Sequence, residues 1–206
     1  MINLPLLYFG YLIILFSIIG FGYLSSKLLS IRLSLGELGL SGILFMTILS
    51  YITNLFVSHN FIHNSIFLII GLTTFFLLIL KKKLFRKKIK LILLVSSVLF
   101  IGILMYKTHD DFFYYHFQYT ISLIEFKKIF GVGNLEHGWR TPSSIFYFNS
   151  LFYLPILEKS LINSGAIYFL IFSNIFLIQK VFNQLKNKKF NFISILSLLS
   201  LLFINT

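Results

Sequence analysis

Residues 61–90 read FIHNSIFLIIGLTTFFLLILKKKLFRKKIK, an apolar run followed at once by a basic run. A helix that spans a bilayer needs roughly 20 predominantly apolar residues, each adding about 1.5 Å of length. Lys81–Lys90 then holds seven of the 18 basic residues of the chain. Such a cluster beside an apolar run is typical of a cytoplasmic loop. The stretch therefore predicts a membrane-spanning helix that ends at the cytoplasmic face.

The composition of the whole chain agrees with that prediction. Of its 206 residues 57% are hydrophobic and only 12% are charged, whereas a soluble domain carries about 25% charged residues. The net charge of +12 is concentrated in loops between apolar runs and does not indicate a folded basic domain, so we expect no nucleic-acid partner. The chain has no cysteine, which excludes disulfides and thiolate metal sites. The predicted partner is the lipid bilayer.

Apolar runs outside this stretch predict five further spans. Together the six are about 4–24, 38–57, 61–80, 89–106, 161–178 and a last one from near Phe190 to Thr206. The fold class is therefore all-α, a polytopic transmembrane helical bundle of about six spans. The first run lacks a basic leader and a small-residue cleavage site, so it predicts a retained span rather than a signal peptide.

Loop charges predict the orientation of these spans. The loops at 25–37, 81–90 and 180–189 hold 13 of the 18 basic residues and fall on one side, which we assign to the cytoplasm. The opposite side receives residues 107–160, with five of the six acidic residues. The chain thus divides into four spans in 1–106, one large extracytoplasmic loop in 107–160 and two spans in 161–206. Because the last run is barely long enough to span, we expect the chain to be the N-terminal part of a longer protein.

Short interfacial helices are predicted in the extracytoplasmic loop. Residues 112–128 form a helical pattern in which Phe113, Phe117, Ile121 and Ile124 share one stripe. With its tyrosines at headgroup depth, such a helix would lie flat on the membrane surface. Farther along, Thr141-Pro142 is a good helix start and predicts a second short helix to about Leu154.

Residues 109–117, HDDFFYYHF, hold the strongest candidate site. Asp110 and Asp111 come directly after the fourth run, at the water boundary, and either could cap the helix that follows. That interpretation leaves the second aspartate and the two histidines, His109 and His116, unexplained. Two adjacent carboxylates suit a general base or a divalent-cation site in which a cation bridges them to a phosphate. The spacing of the histidines does not favour a zinc site.

A second group of candidates precedes the helix at Pro142. The free N–H groups of a helix N-terminus beside an arginine favour a phosphate, so His137 and Arg140 are candidate phosphate ligands. The alternative is that Arg140 only pairs with Glu136, four residues earlier.

Taken together, HDDFFYYHFQYT and FGVGNLEHGWRTPSSIFYFNSLFYLP resemble a signature of bacterial membrane proteins of unknown function. The order of spans, acidic pair, aromatic residues and surface helices is similar to the first external loop of GT-C-type glycosyltransferases, although in that superfamily the acidic loop follows the first span. The resemblance is strongest over 107–157 and implies a multi-pass enzyme of the bacterial inner membrane that uses polyprenyl-phosphate-linked sugars. It also implies that Asp110 or Asp111 is the catalytic base, that His137 and Arg140 hold the donor phosphate, and that His109 and His116 contact substrate.

Other classes of function stay open at this point. A polysaccharide polymerase or ligase would depend more on external arginines, of which this loop has one, Arg140. A flippase or transporter needs polar groups at mid-membrane, where Asn54 and Asn174 are the main candidates and are expected to make helix–helix contacts instead. A non-catalytic membrane subunit would leave the aspartate pair as a helix cap. No cofactor is predicted beyond a divalent cation at Asp110 and Asp111.

Overall fold

The structure, a computed structural model, describes residues 3–81, 83–105, 112–134, 139–140, 142–186 and 192–205. Within these ranges the chain forms helices joined by turns and no strand, so the all-α prediction is confirmed. The long helices are α1 (Leu4–Leu28), α2 (Leu35–Asn54), α3 (Phe61–Lys81), α4 (Lys83–Leu104) and α7 (Gly165–Lys186). The shorter ones are a π-helix (Phe112–His116), α5 (Phe117–Glu125), a 3₁₀ turn (Val132–Asn134), α6 (Ser144–Ser150) and α8 (Phe192–Ile204).

Four of the long helices, α1, α2, α3 and α7, are long and apolar enough to cross a membrane. They correspond to the predicted first, second, third and fifth spans, and they indicate a membrane protein. The predicted fourth span falls in α4, whose first turns are basic, and the predicted sixth falls in α8, whose apolar part, Ser194–Ile204, is shorter than a full span. The total of six spans therefore stays a prediction.

The basic run after α3 is helical rather than a loop. Helix α3 continues to Lys81 and α4 begins at Lys83, so the predicted loop at 81–90 is wrong for most of its length. Lysine and arginine are good helix formers. The positive charge therefore lies on the first turns of α4, still directly after the apolar run of α3.

Helix α1 is the centre of the bundle and packs against both α2 and α3. Glycines allow these helices to approach closely: a Cβ at Gly22 would collide with the Leu38 carbonyl of α2, and one at Gly20 would collide with the Gly71 carbonyl of α3. Small residues at such crossings are the usual means of packing helices in membranes. Helix α2 also contacts α7, and α7 contacts α4 and α8.

The two asparagines singled out in the apolar runs have different partners. Asn174 of α7 and Asn205, directly after α8, form a reciprocal amide pair, with N···O distances of 3.0 and 2.7 Å. The expected helix–helix contact is thereby confirmed for Asn174. Asn54 instead donates to the carbonyls of Leu123 and Phe126, both 3.3 Å away, where α5 ends. It joins a long helix to the predicted extracytoplasmic segment.

The two predicted interfacial helices differ from their predicted forms. The first is interrupted, since the chain forms a π-helix up to His116 before α5 begins, and it ends at Glu125. Its buried side chains include Tyr119, Leu123 and Ile124, while Phe113 of the predicted stripe is 62% exposed. Because α5 packs against α6, the stripe is divided between a buried Ile124 and an exposed Phe113, and its contact with the membrane surface stays a prediction.

The second short helix begins later and ends earlier than predicted. Helix α6 covers only Ser144–Ser150, and its N-cap is Ser143, whose hydroxyl accepts from the Ile145 N–H at 3.5 Å. Thr141, the predicted cap, lies outside the described residues. A serine two residues after Thr141 has the same capping ability, which is why the motif identified the helix but not its first residue.

Candidate functional site

Most of the predicted site residues lie outside the part of the chain that the structure describes. His109, Asp110 and Asp111 precede the first described residue of the loop, Phe112, and His137 falls in the gap at 135–138. The structure therefore reports on two of the six candidates, His116 and Arg140. The roles predicted for the other four stay predictions.

His116 is the last residue of the π-helix that follows the aspartate pair. Its ring lies 4.2 Å from that of Tyr115 and 5.1 Å from that of Phe146 in α6, measured between centroids. Single turns of π-helix are rare in proteins, and those that occur are often found at functional sites. This turn leads directly into α5.

His116 lines a cleft of about 390 Å³ between the π-helix, α5 and α6. A volume of this order is typical of small-molecule sites. Aromatic and aliphatic side chains form part of the wall, and hydroxyl, amide and imidazole groups form the rest: Phe112, Tyr115, His116, Thr120, Ser143, Ile145, Phe146, Asn149 and Asn163.

Two polar groups of the cleft are held in place by hydrogen bonds. The Thr120 hydroxyl donates to the His116 carbonyl at 2.8 Å, and the Asn149 side-chain oxygen accepts from the Gly165 N–H at 3.0 Å. Asn149 is 93% buried, since its exposed fraction is 7%. These bonds fix the wall of the cleft, so that a neutral polar ligand would meet a preformed set of hydrogen-bonding groups.

Arg140 does not line this cleft. It is exposed and follows the 3₁₀ turn, where its Nε donates to the Gly133 carbonyl at 3.2 Å. Gly133 permits this arrangement, because a Cβ there would stand 3.0 Å from the Arg140 Cα. Helix α6 begins four residues after Arg140, so this arginine still precedes a helix N-terminus, but one that starts two residues later than the predicted Pro142.

A buried polar cluster that the sequence did not predict surrounds His59, in the connection between α2 and α3. His59 has no exposed surface, and its Nδ1 lies 2.6 Å from the hydroxyl of Ser150 at the end of α6. Its Nε2 lies 3.2 Å from the Ser50 carbonyl. Because a carbonyl can only accept, a neutral ring satisfies both contacts when Nε2 carries the proton and Nδ1 accepts from Ser150, whose single hydroxyl hydrogen has the Tyr147 carbonyl at 2.8 Å as its other acceptor.

Asn64, at the first turn of α3, completes this buried cluster. Its side-chain NH₂ lies 2.7, 2.8 and 2.9 Å from the carbonyls of His59, Ser150 and Tyr153, so that its two N–H groups serve three acceptors. The cluster thus joins the end of α2, the start of α3 and the end of α6. It holds α6, one wall of the cleft, against the membrane-spanning helices.

The sequence contains a signal for this cluster that could have been used. SHNFIHN at 58–64 places five polar side chains, two of them histidines four residues apart, between two apolar runs. The rings of His59 and His63 are stacked with centroids 4.7 Å apart. Polar residues in so short a connection usually indicate a turn, and only the burial shows that they are part of the core.

Burial lowers the pKa of His59 to about 3, with a further contribution from the nearby His63. In the unfolded chain a histidine has a pKa of about 6.5. Lowering the pH from 6.5 towards 3 should therefore favour unfolding, because the unfolded chain binds a proton that the folded chain excludes. The expected slope is at most about 1.4 kcal/mol per pH unit.

We expect this slope to depend on His59, as thermal unfolding of the detergent-solubilised protein between pH 7 and 4 would show. His59→Gln should give a flatter dependence of the unfolding midpoint on pH than the wild type. Identical pH dependences of the two proteins would contradict a neutral, buried His59.

No group of three or more His, Asp or Glu side chains among the described residues could hold a metal ion. Asp110 and Asp111, the residues predicted to bind a divalent cation, lie outside that part of the chain, so this prediction stays open.

Comparison with known proteins finds a family model over almost the whole chain. Residues 4–206 match the model described as a domain of unknown function (DUF8201). No curated protein and no solved structure matches the chain.

Proposed function

The chain belongs to the DUF8201 family, whose function is unknown, and from its own residues we propose that it is a membrane glycosyltransferase of the GT-C type. In this proposal it transfers a sugar from a polyprenyl-phosphate carrier to an acceptor outside the inner membrane of a bacterial cell. The proposal includes the multi-pass topology with six spans and the extracytoplasmic position of residues 107–160.

The observation that carries the proposal is the position of the cleft. It lies directly after the aspartate pair in the chain, and its wall combines aromatic rings with hydroxyl, amide and imidazole groups. A sugar has an apolar face and many hydroxyls, so such a wall suits it. The helices that hold the cleft pack against apolar helices long enough to cross a membrane, as an enzyme with a lipid-linked donor requires.

Contacts between two segments support the proposed topology. The connection after α2 and residues 107–160 are both extracytoplasmic in a six-span chain with its N-terminus outside. The Lys128 N–H donates to the Asn54 carbonyl at 2.7 Å, and the His59 N–H donates to the Leu123 carbonyl at 2.9 Å. Segments that form hydrogen bonds with one another lie on the same side of a membrane, as the proposed topology requires.

In this mechanism the aspartates and the cleft have separate roles. Asp110 or Asp111 acts as the general base that takes the proton from the acceptor hydroxyl, whose oxygen then attacks the anomeric carbon as the bond to the carrier phosphate breaks. His116, together with His109, contacts the substrate. His137 and Arg140 bind the donor phosphate, with Arg140 as the charge-assisted donor.

The experiment that tests this proposal is deletion of the full native reading frame followed by complementation. Lipid-linked sugars and surface glycans would be compared by mass spectrometry. The deletion should remove one sugar from the glycans and lead to accumulation of its lipid-linked donor, and the wild-type gene should restore both. Unchanged glycans and donors after deletion would reject the transferase.

A substitution in the cleft makes the same experiment specific for the site. His116→Gln removes a polar contact to the substrate while keeping a polar side chain, and should lower the amount of product by about tenfold, the effect of losing a hydrogen bond of about 1.4 kcal/mol. Membrane abundance of the variant should equal that of the wild type. Full complementation by His116→Gln would exclude His116 from substrate binding.

A further inference from the structure

Lys128, just after α5, has an unusual set of partners. Its ammonium group donates to the hydroxyls of Tyr119 at 3.1 Å and Tyr147 at 2.7 Å, and it lies over both rings at 5.8 and 5.4 Å from their centroids. Lys128 is half-buried, and within the described part of the chain no carboxylate pairs with it. Burial raises the pKa of Tyr147 far above its usual range, so this phenol stays neutral and does not compensate the positive charge.

Hydrogen-bond donors are left over at this cluster. An ammonium group has three N–H donors, and the two tyrosines use two of them. The hydroxyls of Tyr119 and Tyr147 lie 3.3 Å apart, so one phenol hydrogen bonds the other oxygen and the second hydrogen has no acceptor among the described residues. Both phenols are buried and hold the ammonium group in place, so its remaining N–H, beside an uncompensated charge, is suited to an anion.

An open groove of about 550 Å³ begins at the same lysine. It runs between the connection after α2 and the chain after α5, and its apolar side chains are exposed: Phe56 by 73%, Phe126 by 53% and Ile129 by 46%. Lys127 also lines the groove, while Glu125 supplies one negative charge. An apolar groove at the end of a membrane-spanning helix, with a net positive charge at its edge, is complementary to an anionic lipid.

We propose that Lys128, held in place by the buried hydroxyls of Tyr119 and Tyr147, binds the phosphate of an anionic membrane phospholipid whose acyl chain lies in the groove at Phe56, Phe126 and Ile129. The site is separate from the cleft at His116, and the Phe146 ring contacts the residues of both, 5.1 Å from His116 and 5.7 Å from Tyr119. It does not depend on the proposed transferase activity. Its function is to bind a lipid at the base of the extracytoplasmic segment.

The position of Trp139 makes the proposal directly testable. It is the single tryptophan of the chain, and its ring meets that of Tyr119 edge to face, 5.8 Å between centroids. Brominated lipids quench tryptophan fluorescence on contact. The full chain would be reconstituted in phosphatidylcholine vesicles that contain an increasing fraction of brominated phosphatidylglycerol, and the quenching compared with that by brominated phosphatidylcholine.

In the wild type, half-maximal quenching should need about fivefold less brominated phosphatidylglycerol than brominated phosphatidylcholine, as expected for one lysine near an anionic lipid. Lys128→Gln should abolish this preference and Lys128→Arg should keep it. Lys159→Gln is the matched control, because it removes the same charge from the same segment outside the groove, and it should behave as the wild type. Equal quenching by both lipids in the wild type, or an unchanged preference in Lys128→Gln, would overturn the proposal.

Discussion

Replacing Asp110 or Asp111 by asparagine is expected to lower sugar transfer by about 10²–10⁴-fold, the usual contribution of a general base. An amide has nearly the size and shape of a carboxyl group but does not take up a proton at neutral pH. The two variants would be expressed separately from the full native reading frame, and lipid-linked and surface sugars measured by mass spectrometry. We expect one of the two substitutions to show the full loss.

Asparagine also separates catalysis from helix capping, the other interpretation of these residues. It is as good an N-cap as aspartate, so a residue that only caps the helix at Phe112 would tolerate the change. Glu158→Gln is the matched control, since Glu158 is an exposed carboxylate of the same segment. Wild-type glycans in both aspartate variants would eliminate the aspartate pair as the catalytic base, and loss of glycan in the control as well would show that the effect is not specific.

Asn64→Leu is expected to destabilise the protein by about 2–5 kcal/mol, because the carbonyls of His59, Ser150 and Tyr153 lose a shared donor in a buried place. For a chain of 206 residues this corresponds to a fall of roughly 5–15 °C in the unfolding midpoint. Thermal unfolding in detergent would measure it. We also expect faster tryptic cleavage at Lys127 and Lys128, because α6, against which α5 packs, loses its attachment.

Asn174→Leu is the control for this change, since it removes another buried amide. Asn174 pairs with Asn205, and hydrogen bonds between membrane helices contribute only about 1 kcal/mol. The midpoint should therefore fall by a few degrees at most. Equal midpoints for the two variants would show that the cluster around His59 does not hold the extracytoplasmic segment in place.

The sequence alone predicted one part of the candidate site and not the other. The histidine and aspartate pattern of residues 109–117 pointed to this region, and His116 does line a cleft. The other wall of the cleft could not be predicted, because it comes from α6, about thirty residues later, and depends on the attachment of Ser150 to His59 and Asn64. His59 lies in a connection that local sequence describes only as a turn, and Asn64 lies in the first turn of the helix that follows it.

Local sequence determined the helical class and the four helices able to cross a membrane, because both depend on a continuous run of apolar residues and on the hydrogen bonds within each helix. It also predicted that a short helix lies on each side of the Gly131–Asn134 turn. Which side chains of this segment are buried was decided by tertiary structure: Tyr119 and Leu123 face α6 and the connection after α2, and Ile124 of the predicted stripe is buried, whereas Phe113 of the same stripe is exposed. Several faces of this aromatic helix are apolar enough to be buried, and the choice among them depends on contacts between residues that are distant in the chain.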